Sequence, residues 1–390
     1  MWRQCEALQS EIVSFRRALH QIPELGHHLP RTAAYIRERL TDWGISYTDS
    51  ASDSSLWGEI EGALPGKTVL LRADTDGLPI QEQTGQPYAS TIDGMMHACG
   101  HDAHTAIALA TLREIHEMRD KINCRVKFLF QPAEEFEPSG AMLMARDGVM
   151  KDIDCIVGLH VDTNFDVGHL AITPGPQNAT SDGFMLDFYG TASHAARQHL
   201  GVDANVMAMR AFMDIELTVA KEISAKKPVI FNVGAIHGGT TNNIICDHCS
   251  MFCTLRTWED SVAEHILDKI RRIIEAVAST AGGRATFTLK KHYPIVHNDE
   301  TMTALLRAAG VTVVGEENMH VNARGLGGED FSYLSNEKPG AFLRLGVRNK
   351  EKGLTVGVHN GRFDLDEGAL ELGVKVFKQF ILDNQNGIQF

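Results

Sequence analysis

Near the N-terminus, Cys5, Leu8, Ile12, Phe15 and Leu19 recur every three or four positions with charged residues between them. That spacing predicts an amphipathic helix on a protein surface. Charges interrupt the stretch too often for the apolar core of a signal peptide. Residues 30–43 repeat the helical spacing, and Gly44 supplies a stop. Short apolar runs then alternate with helical patterns. Residues 67–73 (KTVLLRA), 124–130 (CRVKFLF) and 154–160 (DCIVGLH) read as buried strands, and 103–118 and 139–146 as helices. Strands separated by helices imply βαβ units and a mostly parallel sheet.

Residues 173–182 (TPGPQNATSD) are dense in turn formers and read as a linker. Beyond them the order changes to strand 184–189, helix 203–222, strands 229–236 and 244–255, helix 259–281 and strand 284–290. This β-α-β-β-α-β order is the ferredoxin-like pattern. From Thr301 the chain returns to helix and strand in alternation. The expected fold class is therefore α/β. Residues 1–175 and 292–390 form one discontinuous domain, and 176–291 form an inserted α+β domain. No apolar run approaches the ~20 residues that cross a membrane.

Composition narrows the function. An apolar fraction of 43% and a charged fraction of 22% are those of an ordinary globular chain. The formal charge of -13 argues against nucleic acid, which needs clustered Lys and Arg. Seven cysteines without framework spacing read as reduced thiols, which places the chain in a cytoplasm.

The residues that can carry chemistry gather at the ends of predicted strands. Asp74 and Asp76 follow the first strand, and His97, Cys99, His101 and His104 fall in MHACGHDAHTA before a helix. Glu134 and Glu135 follow the next strand, His160 ends another, and His359 stands far downstream in VGVHN. Ligands of open α/β sheets bind at the carboxyl ends of strands. If residues 99–101 are extended, Cys99 and His101 point the same way and can share a metal. Thiolate and imidazole both suit borderline transition metals. If Glu134 and Glu135 are extended too, they diverge, so that one binds metal while the other faces a water. Two metals about 3.5–4 Å apart would clamp and acidify that water, and a free carboxylate beside it can take its proton. Adjacent glutamates are more often a solvated face, and lone histidines such as His20, His116 or His292 more often belong to the core. Cys246, Cys249 and Cys253 with His248 lie in a predicted strand without a second ligand pair, so they read as core cysteines and not as a zinc site.

The segments LRADTDGLP, MHACGHDAHTA, QPAEE, GLH, SHAA, GGTTNNI, LRT, GGEDF and HNGRFDLDE run in order from residue 71 to 367. Together they resemble peptidase family M20, the aminoacylases and glutamate carboxypeptidases, in its amidohydrolase branch. The resemblance implies a zinc-peptidase-like catalytic domain with an inserted lid or dimerisation domain. It also implies metal ligands at Cys99, His101, Glu135, His160 and His359. Glu134 then corresponds to the general base, Asp76 to the aspartate that orients a metal ligand, and His194 to the group supporting the tetrahedral intermediate. Asn243 resembles a lid residue near substrate, and Arg256 is a second candidate for holding a substrate carboxylate. The chain departs from the family pattern after SHAA (Arg197, Gln198, His199), at Gly361 and within GGTTNNIICD. These departures bear on the substrate and not on the metal cluster.

The expected activity is hydrolysis of the amide bond of N-acyl amino acids or related small conjugates. It uses two divalent ions per subunit, manganese or zinc first, with cobalt or nickel as alternatives. The resemblance further implies a homodimer paired through the inserted domain. A dipeptidase or carboxypeptidase of the same family is the alternative reading. A non-catalytic binding relative is less well supported, because Glu134 and every ligand position are kept.

Overall fold

The computed structural model describes residues 5–50, 54–64, 66–322 and 324–385. In chain order it contains α1 (Cys5–His20), α2 (Pro30–Trp43), β1 (Tyr47–Ser50), β2 (Ser55–Glu61), β3 (Thr68–Asp74), α3 (His101–Glu117), β4 (Arg125–Gln131), α4 (Gly140–Arg146), β5 (Cys155–Asp166), β6 (Leu170–Ala171) and β7 (Gly175–Asn178). There follow β8 (Ser181–Tyr189), α5 (Ala204–Glu222), β9 (Val229–Gly238), β10 (His248–Thr257), α6 (Asp260–Ala281) and β11 (Arg284–Tyr293). The chain ends with β12 (Val296–Asn298), α7 (Glu300–Val314), β13 (Met319–His320), α8 (Ser332–Ser335), β14 (Gly340–Arg348) and α9 (Leu370–Asn384). It divides into two compact units. The first comprises 1–177, 297–323 and 330–390, and the second 178–296 with 324–329.

The first unit is built on an eight-stranded sheet of order β1-β2-β4-β3-β5-β14-β6-β13. Its centre is parallel: β3 pairs with β4 and β5, and β5 with β14. All seven residues of β3 are buried, as a strand covered on both faces requires. Helices α1, α3, α7 and α9 pack as one layer, and α4 and α8 pair separately. Leu8, Ile12, Phe15 and Leu19 are the buried stripe of α1; the side chain of Cys5 lies outside the described set. Because β3 is followed by β4 on one side and flanked by β5 on the other, the strand order reverses there. A crevice opens at such a switch point.

The second unit is a four-stranded antiparallel sheet of order β11-β8-β10-β9 with helices α5 and α6. Phe184, Leu186 and Phe188 of β8 share one face of the strand and pack with the buried stripe Val262, Ile266, Ile270, Ile274 and Val277 of α6. Cys249 and Cys253 point into this core, and Cys246 donates to the carbonyl of His248. Among the described residues, no helix is long and apolar enough to cross a membrane.

Candidate active site

The carboxyl ends of β3, β4 and β5 carry the first groups. Asp74 is the last residue of β3, and Asp76 lies two residues on. His101 is the first residue of α3, not part of an extended loop as the spacing suggested. The chain turns at Gly100, whose φ of +86° is left-handed, and a Cβ there would come within 2.5 Å of Val161. Glycine is the residue that tolerates both demands.

Hydrogen-bond partners orient each imidazole. His101 Nδ1 lies 3.1 Å from Asp76 Oδ1, while His101 Nε2 is buried, 3.7 Å from Asp74 Oδ2 and with no hydrogen-bond partner. His160 Nδ1 donates to the Val161 carbonyl at 2.7 Å, which leaves its Nε2 as a lone pair 3.4 Å from Cys99 Sγ. Asp76 Oδ2 also accepts the Glu135 backbone N–H at 3.1 Å. His359 Nε2 lies 2.9 Å from Glu135 Oε1. Its backbone N–H donates to the Ala98 carbonyl at 2.7 Å.

His104 behaves differently. The Val161 N–H can only donate, so His104 Nε2 accepts it at 3.0 Å, and Nδ1–H donates to Asp74 Oδ1 at 2.6 Å. Both nitrogens are spent. His104 therefore anchors β5 beside His160, although Asp74, His101 and His104 lie as close together as a ligand set.

The remaining candidates assemble in overlapping groups whose ligand atoms lie within 4.8 Å of one another. One is Cys99, His101 and His160; a second is Cys99, Glu135 and His359; a third is His101, Glu134 and Glu135. Glu134 and Glu135 are thus not splayed apart by extended backbone. They sit in a bend after Ala133, whose φ is +54°. His359, at φ +61°, is another of the non-glycine residues held in the left-handed region. Such strain costs on the order of 1–3 kcal/mol per residue and tends to collect at functional sites.

Electrostatics fit a cation. Burial pushes the Cys99 thiol well above its ordinary range, against the pull of His101; a bound cation would reverse this by holding the thiolate. Burial opposes charging of His101, but Asp74 and Cys99 outweigh it and hold its proton affinity well above that of free imidazole, so a bound cation would take the place of that proton. Burial, with His104 and Arg344 adding to it, holds His160 well below the usual range, as a neutral ligand requires. An orphaned His101 Nε2, a freed His160 Nε2, a sulfur and carboxylates form the mixed donor set that borderline divalent metals take. Orientation of ligating histidines by Asp76 and a backbone carbonyl is the usual support for such a set. The residues fit two cations sharing Cys99, Glu135 and His101 among their neighbours.

Sequence reasoning missed the buried charges beneath the site. Arg72 is 3% exposed and reaches Gln131 Oε1 (2.8 Å), Asp74 Oδ2 (2.7 Å) and Asp330 Oδ1 (2.8 Å). The signal was present: an arginine inside an apolar strand, two residues before an aspartate on the same face.

The second unit brings His194 and Asn243 together. His194 bridges Ile244, and the Ala195 N–H donates to the Asn243 carbonyl at 3.0 Å. The Ala196 N–H donates to His194 Nδ1 at 3.0 Å, so its proton sits on the exposed Nε2. Half-buried Arg256 donates to the Leu326 carbonyl at 2.8 Å and so tethers the 324–329 segment within this unit. None of the close ligand groups includes Cys246, His248, Cys249 or Cys253.

Residues 70–383 match the family described as Peptidase family M20/M25/M40. The chain belongs to that family. It is 33% identical over 374 residues to thermostable carboxypeptidase 1 of Saccharolobus solfataricus, covering 94% of this chain and 93% of that protein. It is also 33% identical over 365 residues to the N-acetyl-L-cysteine deacetylase of Bacillus subtilis, covering 93% of this chain and 85% of that protein. A solved Bacillus subtilis structure described as a dinuclear metal-binding M20 peptidase superposes with a TM-score of 0.82 at 30% identity, covering 97% of this chain and 98% of that one.

Proposed function

We propose that this M20 hydrolase cleaves the amide bond of N-acyl amino acids or related small conjugates, and that two divalent cations serve it. The observation that carries the reading is the pair of three-residue groups sharing Cys99, with Glu134 beside them. Cys99, His101 and His160 would hold one cation, and Glu135 and His359, with Cys99, the other. When bound, such cations polarise the amide carbonyl and lower the pKa of a water toward neutrality. Manganese or zinc is the assigned pair, since soft and hard donors mix here.

Glu134 is buried within reach of the same groups as a carboxylate outside both proposed ligand sets. It takes the proton of the attacking water and returns it to the leaving amine. Asp76 holds His101 and the Glu135 backbone in place through its two oxygens. His194, with its proton fixed on Nε2, is assigned as a donor to the developing oxyanion. Asn243 is assigned to the substrate; Arg256, held by a main-chain carbonyl, is the weaker candidate for its carboxylate.

We assign a homodimer through the second unit. β9 is an edge strand, and α5 exposes Val206, Met209, Met213 and Leu217 at helical spacing. Edges and apolar stripes of this kind are closed by a second copy about a two-fold axis. The free thiols Cys99, Cys124, Cys155, Cys246, Cys249 and Cys253 suit a reducing compartment, and on that ground we place the enzyme in the cytoplasm.

A substrate panel tests the activity and its rival. N-acetyl-methionine and hippurate are expected to be hydrolysed with kcat/KM at least about tenfold above that for an unblocked dipeptide, a difference of ~1.4 kcal/mol in transition-state binding. A preference for the dipeptide, or for a peptide cut at its C-terminal residue, would make the protein a dipeptidase or carboxypeptidase instead.

A further inference from the structure

Arg16, on α1, is fully buried and divides its guanidinium among three carboxylates. Nε reaches Asp102 Oδ2 at 3.0 Å, Nη2 reaches Asp364 Oδ1 at 2.8 Å, and Nη1 reaches Glu367 Oε1 at 3.1 Å. His20, one helical turn on, also bonds Asp102 Oδ2, at 2.8 Å. Asp102 directly follows His101 in α3. Asp364 follows His359 by five residues and is further held by Gln86 and the Tyr88 hydroxyl, each at 3.0 Å. Arg16 thus joins the segment that carries Cys99 to the segment that carries His359. Cys99 and His359, with Glu135, form one of the two proposed cation sites. The other site takes the shared Cys99 with His101 and His160; its two imidazoles are oriented by Asp76 and the Val161 carbonyl, and none of its residues lies on the Asp364 segment.

We propose that Arg16 is a positioning residue that holds the Asp102 and Asp364 segments at a fixed spacing and thereby sets the affinity of the cation site made by Cys99, Glu135 and His359. The inference rests on the two-cation reading above. A planar guanidinium fixes both distance and direction between the carboxylates it bridges, which a lysine ammonium does not. Groups that hydrogen-bond a ligand are typically worth about 10–100-fold in metal affinity; Arg16 and Asp364 act one step further out, through the main chain that carries the ligands, so the lower end of that range applies. The His359 backbone, held in the left-handed region, has little intrinsic preference for its place, so its loop depends on such outside anchors.

The test is competition between the protein and a chromophoric chelator for Zn²⁺, at a temperature where circular dichroism shows each variant fully folded. Wild type is expected to bind two equivalents. Asp364→Asn keeps the Arg16 pairs with Asp102 and Glu367, so it is the variant that isolates the His359 arm. It is expected to weaken one equivalent about tenfold and leave the other unchanged. Arg16→Lys is expected to show the same selective loss, because charge alone does not restore the fork. Two wild-type affinities in folded Asp364→Asn and Arg16→Lys would overturn the proposal and leave Arg16 a purely structural ion pair. Equal weakening of both equivalents would overturn the selectivity claimed for it. A wild-type chain that binds fewer than two equivalents would overturn the two-cation reading, and this inference with it.

Discussion

Replacing Glu134 with Gln is expected to lower kcat about a thousandfold, within the 10²–10⁴ range that general base catalysis contributes, while metal per chain stays at the wild-type level. Glu134 is 6% exposed and lies with His101 and Glu135 in one tight group. The amide keeps the shape of the carboxylate but has no basic oxygen to accept the water's proton. Glu135→Gln is expected to do the reverse and lose metal, because Glu135 Oε1 is the atom facing His359 Nε2 at 2.9 Å. Steady-state kinetics beside elemental analysis separates the two. Metal loss in Glu134→Gln with full metal in Glu135→Gln would exchange the assignments.

The second large effect lies beneath the site. Arg72→Met is expected to cost about 3–5 kcal/mol, the usual penalty for removing one partner of a buried charge network. At roughly 2–4 °C per kcal/mol for a unit of this size, the melting temperature should fall by about 6–20 °C. Asp74 and Asp330 would both be left without the guanidinium, and Asp330 Oδ2 also organises Gln131 (2.7 Å), Ser139 (2.8 Å) and the Ala141 N–H (3.2 Å). Burial pushes the Asp74 carboxyl up, yet Arg72, His101 and His104 together hold it well below the usual range. Arg72→Met removes the largest of those counter-charges. Calorimetry of the metal-free protein measures the loss; a change below about 1 kcal/mol would mean that water or relaxation satisfies the two aspartates.

What the sequence conveyed depended on the range of the interaction. Apolar runs bounded by turn formers place β3, β4 and α2 within a residue of their observed ends, because burial on both faces is a local property of composition. The β-α-β-β-α-β order of 184–290 is visible for the same reason. β5 was harder: it runs past His160 to Asp166, since its far half is set by pairing with β14, a partner almost two hundred residues away. The start of α3 at His101 was missed because a left-handed Gly100 turns the chain, and a glycine between two ligand-type residues reads equally well as a loop. The histidines and carboxylates of the candidate site were conspicuous through their density. Which nitrogen of His104 is spent was not, because the Val161 N–H that occupies it comes from another strand. Arg16 and Arg72 show the limit most clearly. Their partners lie up to 351 positions away, and no local pattern records such pairing.

The central claim, amide hydrolysis that depends on two bound cations, is tested most directly by titrating metal into chelator-stripped enzyme while following hydrolysis of N-acetyl-methionine. The stripped protein is expected to be folded and inactive, and activity to return with Mn²⁺ or Zn²⁺ and level off at two equivalents per chain. Full activity in protein shown by elemental analysis to be metal-free, or saturation at a single equivalent, would contradict the account.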